Sequence, residues 1–596
     1  MTSRILVAAG SAAAALILAG GAVAHELDHP APSYQPAVPL GTGLNSGGPG
    51  ATWKLIDTFP TGNPHTDLDF FTQAGETYAS VGTLAAGANA GGQTIVQLTN
   101  RGVVDPRYVS SHPSASCVSD PSAALGLQHD VEATPKPGAD AQLLLDATDH
   151  RGRCHDQGAA GLVGAPRGGL EIVDVTNVLD PVEIGLTSHI GEAHTVNIDP
   201  KRPHIAYAVT SDSIGVGPAP DYKRNNENSG SSDRNDLDGF EVVDLSSCMN
   251  FPALTSIEIR RMLCRPQVYR YRFPSVQASL GHTTRNAVYG CHELEIYADD
   301  TVTCGSGAAG LVFDVSRAFD GNGKPKGTPL PCALRPSSST APYFSGAMVT
   351  DCVVGEGGRN LDVPSWLASG APSLEGVRYV GSIYHQGRGG PNPATEDNDF
   401  DHELEQTASG RYLIASDERG GGVAPPGATC ATGVDNPFGN GGLHFYKRDA
   451  LRTTSPATAA EAWQAYARTP DGRKAIYRAT PRTGVEETVC TAHVFQQVPG
   501  QNRIFMGWYS QGTQVVDFVE NADGTLTLKE AGWFIPEKAN TWTSHVFKWR
   551  ENADGTFTYW GATGDFLLGT TGRSSIDVYE VTLPAPPKPP AVKKGR

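Results

Sequence analysis

Beyond residue 24 the chain is a succession of short apolar stretches broken by turn-forming residues, and none is long enough to cross a bilayer. The clearest pattern lies near the C-terminus. There Glu520-Asn-Ala-Asp-Gly-Thr-Leu-Thr is echoed by Glu551-Asn-Ala-Asp-Gly-Thr-Phe-Thr. In both, Asp-Gly separates short stretches rich in Thr and aromatic residues, which predicts two β-hairpins. Similar short strands close on a Val/Ile-x-Asp or related signature at 169–174, 239–244, 310–314, 442–446 and 513–517. Weaker versions occur at 93–97 and 575–579.

Each of these strands is preceded by a histidine that opens a β-rich stretch. Cys490-Thr-Ala-His493-Val-Phe resembles Trp542-Thr-Ser-His545-Val-Phe. His292-Glu-Leu-Glu295 matches His402-Glu-Leu-Glu405, with His129-Asp-Val-Glu132 close to both, and His65-Thr-Asp resembles His194-Thr-Val. Seven histidine starts followed by seven such strands predict an all-β fold, a single seven-bladed β-propeller over residues 51–584. An array of sandwiches is the alternative architecture. The repeat spacing exceeds the roughly 40–50 residues of common propeller blades, which requires long inserted loops. Polar or Pro/Gly-rich stretches at 217–238, 325–374 and 420–442 supply them.

The segment 169–185, Gly-Leu-Glu-Ile-Val-Asp-Val-Thr-Asn-Val-Leu-Asp-Pro-Val-Glu-Ile-Gly, resembles the LVIVD repeat of secreted bacterial propeller proteins. That pattern is a Gly-Leu-x-Ile-Val-Asp-Val strand followed by an Asn-Pro-x-x-Pro-like turn. Val178 replaces the first proline and Pro181 remains. The match is partial at 239–245, 310–315 and 513–517. The resemblance implies a propeller and leaves activity open, because fold alone does not supply function.

The two ends change the picture. Arg4, an apolar run from Ile5 to Leu18 and Ala22-Val23-Ala24 have the layout of a secretory signal, so residues 1–24 are expected to be removed and the protein secreted. Residues 25–50 read as a Pro/Gly-rich leader, and 585–596 as a Pro/Lys-rich disordered tail. Ten cysteines in an exported chain point to disulfides, with sequence-adjacent couples Cys117/Cys154, Cys248/Cys264, Cys291/Cys304, Cys332/Cys352 and Cys430/Cys490 as the simplest connectivity. A net charge of −17 disfavours nucleic acid or an anionic membrane surface as partner.

The chemistry rests on the histidines. In a propeller, residues fixed at the start of each innermost strand meet at one mouth of the channel. His65, His129, His194, His292, His402, His493 and His545 are therefore expected to form a ring there. Clustered neutral imidazoles are ligands for copper, iron or zinc, so a transition metal ion is the expected cofactor, held by three or four of the seven, or two ions share them. The bland reading of any one histidine is a hydrogen bond to a neighbouring blade's carbonyl. Asp130, Glu293 and Glu403, one residue on, and Glu132, Glu295 and Glu405, three residues on, are expected to orient histidines of adjacent blades. A small molecule or a cell-envelope component is the expected partner over the mouth. The alternative is a metal-dependent oxidoreductase or hydrolase with its active site at the same ring. Weaker signals are a calcium-like acidic loop at 233–241, a loop cluster of Asp149-His150 with His155-Asp156, and His25 with His29 at the expected new N-terminus. No nucleophile elbow, zincin motif, phosphate loop or dinucleotide fingerprint occurs in a suitable context.

Overall fold

The computed structural model describes residues 45–61, 63–84, 91–114, 129–135, 138–148, 169–187, 193–209, 239–272, 288–307, 309–330, 333–336, 348–351, 374–384, 398, 400–418, 441–453, 464–482, 489–566 and 574–590. Among them the fold is almost entirely β, with one α-helix, Ile257–Leu263, and none long and apolar enough to cross a membrane. The expected signal segment, most of the leader and residues 591–596 lie outside the described residues.

The strands form six sheets, nearly all antiparallel. One runs His65–Gln73, Glu76–Thr83, Gly92–Asn100, Val103–Pro113. The next runs His129–Thr134, Leu143–Thr148, Leu170–Asp174, Val182–Thr187, with Met348–Asp351 and Ala333–Pro336 added outside. Thr195–Ile198, Ile205–Val209, Gly239–Asp244 and Gln267–Arg272 make a third. The eight-stranded sheet consists of two meanders joined at one residue pair, Gly307 and Asp401. Its halves are Val288–Ile296, Thr301–Gly307, Ala309–Asp314, Arg378–Tyr384 and Asp401–Gln406, Tyr412–Asp417, Leu443–Lys447, Ile476–Tyr477. Phe495–Gln497, Arg503–Gly507, Thr513–Glu520 and Leu526–Ile535 follow, edged by Asn45–Gly47. In the last, Thr541–Glu551, Phe557–Asp565 and Ser575–Leu583 are completed by Thr52–Pro60 from the other end of the chain.

Local chemistry explains the meanders. Both expected Asp-Gly hairpins form: Gly524 and Gly555 take φ of +83° and +81°, which a side chain would resist. Asp523 and Asp554 each accept the backbone N–H two residues on, from Thr525 and Thr556. The repeated strand-closing aspartates work in the same way. Asp174, Asp244 and Asp314 accept N–H groups of Thr176, Ser246 and Ser316, so the repeat signature is a turn device. Segment 169–185 is itself a hairpin. At Gly185 a Cβ would come within 2.9 Å of Cys264 Sγ.

Each meander packs its two faces against neighbours. Seven apolar clusters each draw from two consecutive meanders, including one that joins the last to the first through Ile576, Val578, Leu68 and Val81. The first strands, which carry or follow the histidines, lie against one another in the same order. Cys248–Cys264 and Cys291–Cys304 are disulfides, Cys490 is also disulfide-bonded, and no free cysteine occurs among the described residues. The other couples involve residues outside the description. The tail differs from expectation where it is described. Residues 585–590 run without ladder pairing, but Pro586 is buried and the Asn502 N–H donates to the Pro587 carbonyl at 2.8 Å, so this stretch is docked rather than disordered.

Candidate metal centre

A β-hairpin delivers the donors. In the meander beginning at Asp401, the first strand starts and the second ends at the same edge. The Glu418 N–H donates to the Phe400 carbonyl at 3.1 Å, and the Phe400 N–H to Asp417 Oδ1 at 3.0 Å. His402 falls at a bulge: Asp401 pairs with Asp417 and Glu403 with Ser416, leaving the histidine between them out of register. Bulges of this kind re-aim a side chain. His402 and Glu418 consequently face each other, Nε2 to Oε2, at 4.0 Å.

Four of the seven expected histidines come together. The His194 and His292 rings lie 4.0 Å apart, His292 and His402 4.6 Å, and His402 and His493 4.2 Å. All four are buried, as is Glu418. Donor atoms of His292, His402 and Glu418 lie within 4.8 Å of one another. His194 Nε2 lies 3.1 Å from His292 Nε2. Two nitrogens bound to one ion at 2.0–2.1 Å would stand about 2.9–3.4 Å apart, so this spacing already suits a shared ion.

Protonation supports the same chemistry. His493 Nδ1 lies 3.0 Å from the Trp542 carbonyl, which can only accept, so the proton sits on Nδ1 and Nε2 is a bare lone pair. That lone pair points at Glu418 Oε1, 3.4 Å away, and has no hydrogen-bond partner. Neither ring nitrogen of His402 has one either. Burial, and then the neighbouring His493, push the His402 imidazole well below its ordinary range. Burial brings His493 to about 3. Burial also raises the Glu418 carboxyl, against the opposing pull of His402 and a hydrogen bond from Tyr509. Each orphaned buried polar atom costs on the order of 1–3 kcal/mol. A cation among these nitrogens and the carboxylate would satisfy them together, so the donor set fits a transition metal ion.

The remaining histidines are placed differently. His65 is buried but served by its own meander. Its Nε2 lies 2.6 Å from Thr61 Oγ1 and its Nδ1 3.2 Å from the Gly82 carbonyl, while burial lowers it to about 4. His545 is half-buried and contacts Thr543 Oγ1 at 3.2 Å. His129 opens its strand, with its side chain outside the described residues. Four of the six acidic neighbours bond backbone or amide groups of an adjacent first strand rather than a histidine. Asp130 accepts the Val196 N–H at 2.5 Å and Glu403 the Phe495 N–H at 2.9 Å. Glu295 and Glu405 accept from the Asn197 and Gln497 amides. These carboxylates stitch neighbouring first strands together because backbone N–H groups and side-chain amides, not imidazoles, lie across from them. Of the acidic loop, Glu241 is described and is paired with Arg270 at 3.0 Å. Residues 233–238, the Asp149–Asp156 cluster, His25 and His29 lie outside the description.

Glu418 and Tyr509 were not foreseen. Glu418 belongs to no repeated motif, yet it directly follows a second strand, where other meanders carry Leu84, Trp508 and Phe566. In the sequence Asp149 and Thr210 hold the same position after Leu143–Thr148 and Ile205–Val209, so no signal singled Glu418 out.

No protein-family model matches the chain, and no curated protein matches it. Among solved structures, Sqt1 from Chaetomium thermophilum is similar at 9% identity over 88% of this chain and 96% of that one, with a TM-score of 0.36. Saccharomyces cerevisiae Sqt1 is similar at 8% identity over 89% and 98%, also with a TM-score of 0.36. Scores of this size leave the argument with the chain's own geometry.

Proposed function

We propose that this protein is an exported seven-bladed β-propeller, spanning residues 51–584, that binds a transition metal ion at one mouth. His194, His292, His402 and Glu418 are its ligands, with His493 beside them. Convergence of buried imidazoles on a buried carboxylate, with no hydrogen bonds to His402, carries the reading. The blade assignment is supported by the seven apolar clusters linking consecutive meanders. Export is supported by the signal-like leader and the disulfides, and the 169–185 hairpin is consistent with an LVIVD-like origin. Copper, iron and zinc all suit imidazole donors. Elemental analysis of protein purified from its secretion route tests the proposal. About one ion per chain is expected, and protein that carries none and takes up none of the three refutes it.

A second reading, catalysis at that ion, is favoured by the mixture of imidazole and carboxylate donors. His292, His402 and Glu418 are two histidines and one carboxylate, the set that leaves coordination positions open in non-haem iron oxygenases, with His194 beside them as a further donor. Dioxygen consumption by iron-loaded protein, lost in E418Q, is its signature; an iron-loaded wild type inert to dioxygen and reductant removes the oxidase form of this reading.

A further inference from the structure

The Tyr509 hydroxyl donates to Glu418 Oε1 at 2.5 Å, and both residues are buried. Tyr509 adopts φ +42°, a left-handed conformation that a residue with a Cβ seldom takes unless its surroundings impose it. Here they do. Tyr509 and Thr541 exchange N–H···O bonds of 2.9 Å in both directions, and the Gly512 N–H donates to the Tyr509 carbonyl at 2.9 Å. The next carbonyl along, that of Trp542, fixes the tautomer of His493. The ring of Tyr509 stands edge-on to His493 at 5.1 Å and to Trp542 at 5.9 Å. Consecutive carbonyls of one strand thus anchor both a histidine of the cluster and the tyrosine that grips its carboxylate.

We propose that Tyr509 is a positioning residue for the metal centre: it occupies Glu418 Oε1, so that the carboxylate meets the ion through Oε2 alone. This rests on the metal-binding reading above. A carboxylate released from the tyrosine would turn to offer both oxygens and fill a coordination position that the held carboxylate leaves open. Strain at residue 509 makes sense in these terms, because a relaxed backbone would swing the hydroxyl away from Oε1.

The test is a titration of metal-free protein with Co(II), followed by visible absorption, in wild type, Y509F and E418Q. Wild type is expected to bind one equivalent. Y509F should bind it with an affinity changed about 10–100-fold and a changed band pattern, while its circular dichroism stays that of the folded chain. Wild type that takes up no Co(II) sinks the metal reading and this proposal with it. Uptake by wild type with Y509F identical in affinity and spectrum sinks only the role of Tyr509. Should Y509F fail to fold, the infrared carboxylate stretches of Co(II)-loaded wild type, assigned by their loss in E418Q, decide the matter. Monodentate splitting is expected, and bidentate splitting overturns the proposal.

Discussion

His402 and His65 hold the same place in the repeat and are equally buried, yet they answer to different physics. His65 is satisfied from within its own meander by Thr61 and the Gly82 carbonyl. His402 has no hydrogen-bond partner on either nitrogen and faces two other imidazoles and a carboxylate. The first arrangement is what a duplicated structural histidine looks like. The second is unstable without something to bind. Equivalence along the sequence therefore marks position, whereas function depends on which neighbours leave a lone pair unspent.

The comparison breaks most sharply under substitution. H292A combined with H402A is expected to abolish uptake of copper, iron and zinc, while H65A retains a full equivalent. Elemental analysis after dialysis reads both, and equal losses would show that the two histidines are not distinct in kind.

Acid gives the next largest effect. Folded His65 binds its proton only near pH 4, whereas an unfolded histidine does so near 6.5. The unfolded chain thus holds more protons in that window, and stability falls as pH drops through it, by roughly 3 kcal/mol for this one group. Denaturant midpoints of metal-free wild type and H65Q between pH 4 and 7 should converge toward the acid end. Parallel profiles would mean that the His65 imidazole is not the buried neutral group described.

The smallest effect sharpens the contrast in the metal-free state at neutral pH. H65A removes a satisfied imidazole and strands its partners, at about 1–3 kcal/mol. H402L removes a group with nothing to lose and should shift stability by less than about 1 kcal/mol, or raise it. Equal costs in urea melts would indicate that His402 has a structural partner.

Much of the architecture was legible because it is written in local chemistry. Asp-Gly pairs forced left-handed glycines at 524 and 555, and recurring aspartates such as Asp174 and Asp314 marked turns by bonding two residues ahead. Recurrence of histidine at strand starts located the cluster. Recurrence could not tell His402 from His65 or His545, since a repeated position does not show that Thr61 and Gly82 serve one ring while His402 meets rings of other meanders. Nor could it find Glu418, which no motif repeats. Alternation also misled: the bulge at His402 breaks strict facing, and Glu403 finds the Phe495 N–H rather than an imidazole.

The strand Thr52–Pro60 has a bearing on how this molecule comes into being. Thr58 donates its hydroxyl to Asp577, 519 positions further on. Closing so long a loop costs on the order of 5 kcal/mol in chain entropy, so the clasp is the last contact to form and the first to be lost without its neighbours. Thr52–Pro60 has no sheet to join until residues 519 positions further on have been made. Until then the sheet of Thr541–Glu551, Phe557–Asp565 and Ser575–Leu583 lacks an edge strand. Once the clasp is made, Thr52–Pro60 is paired along the length of Ser575–Leu583, so opening this seam means pulling a strand out of a finished sheet.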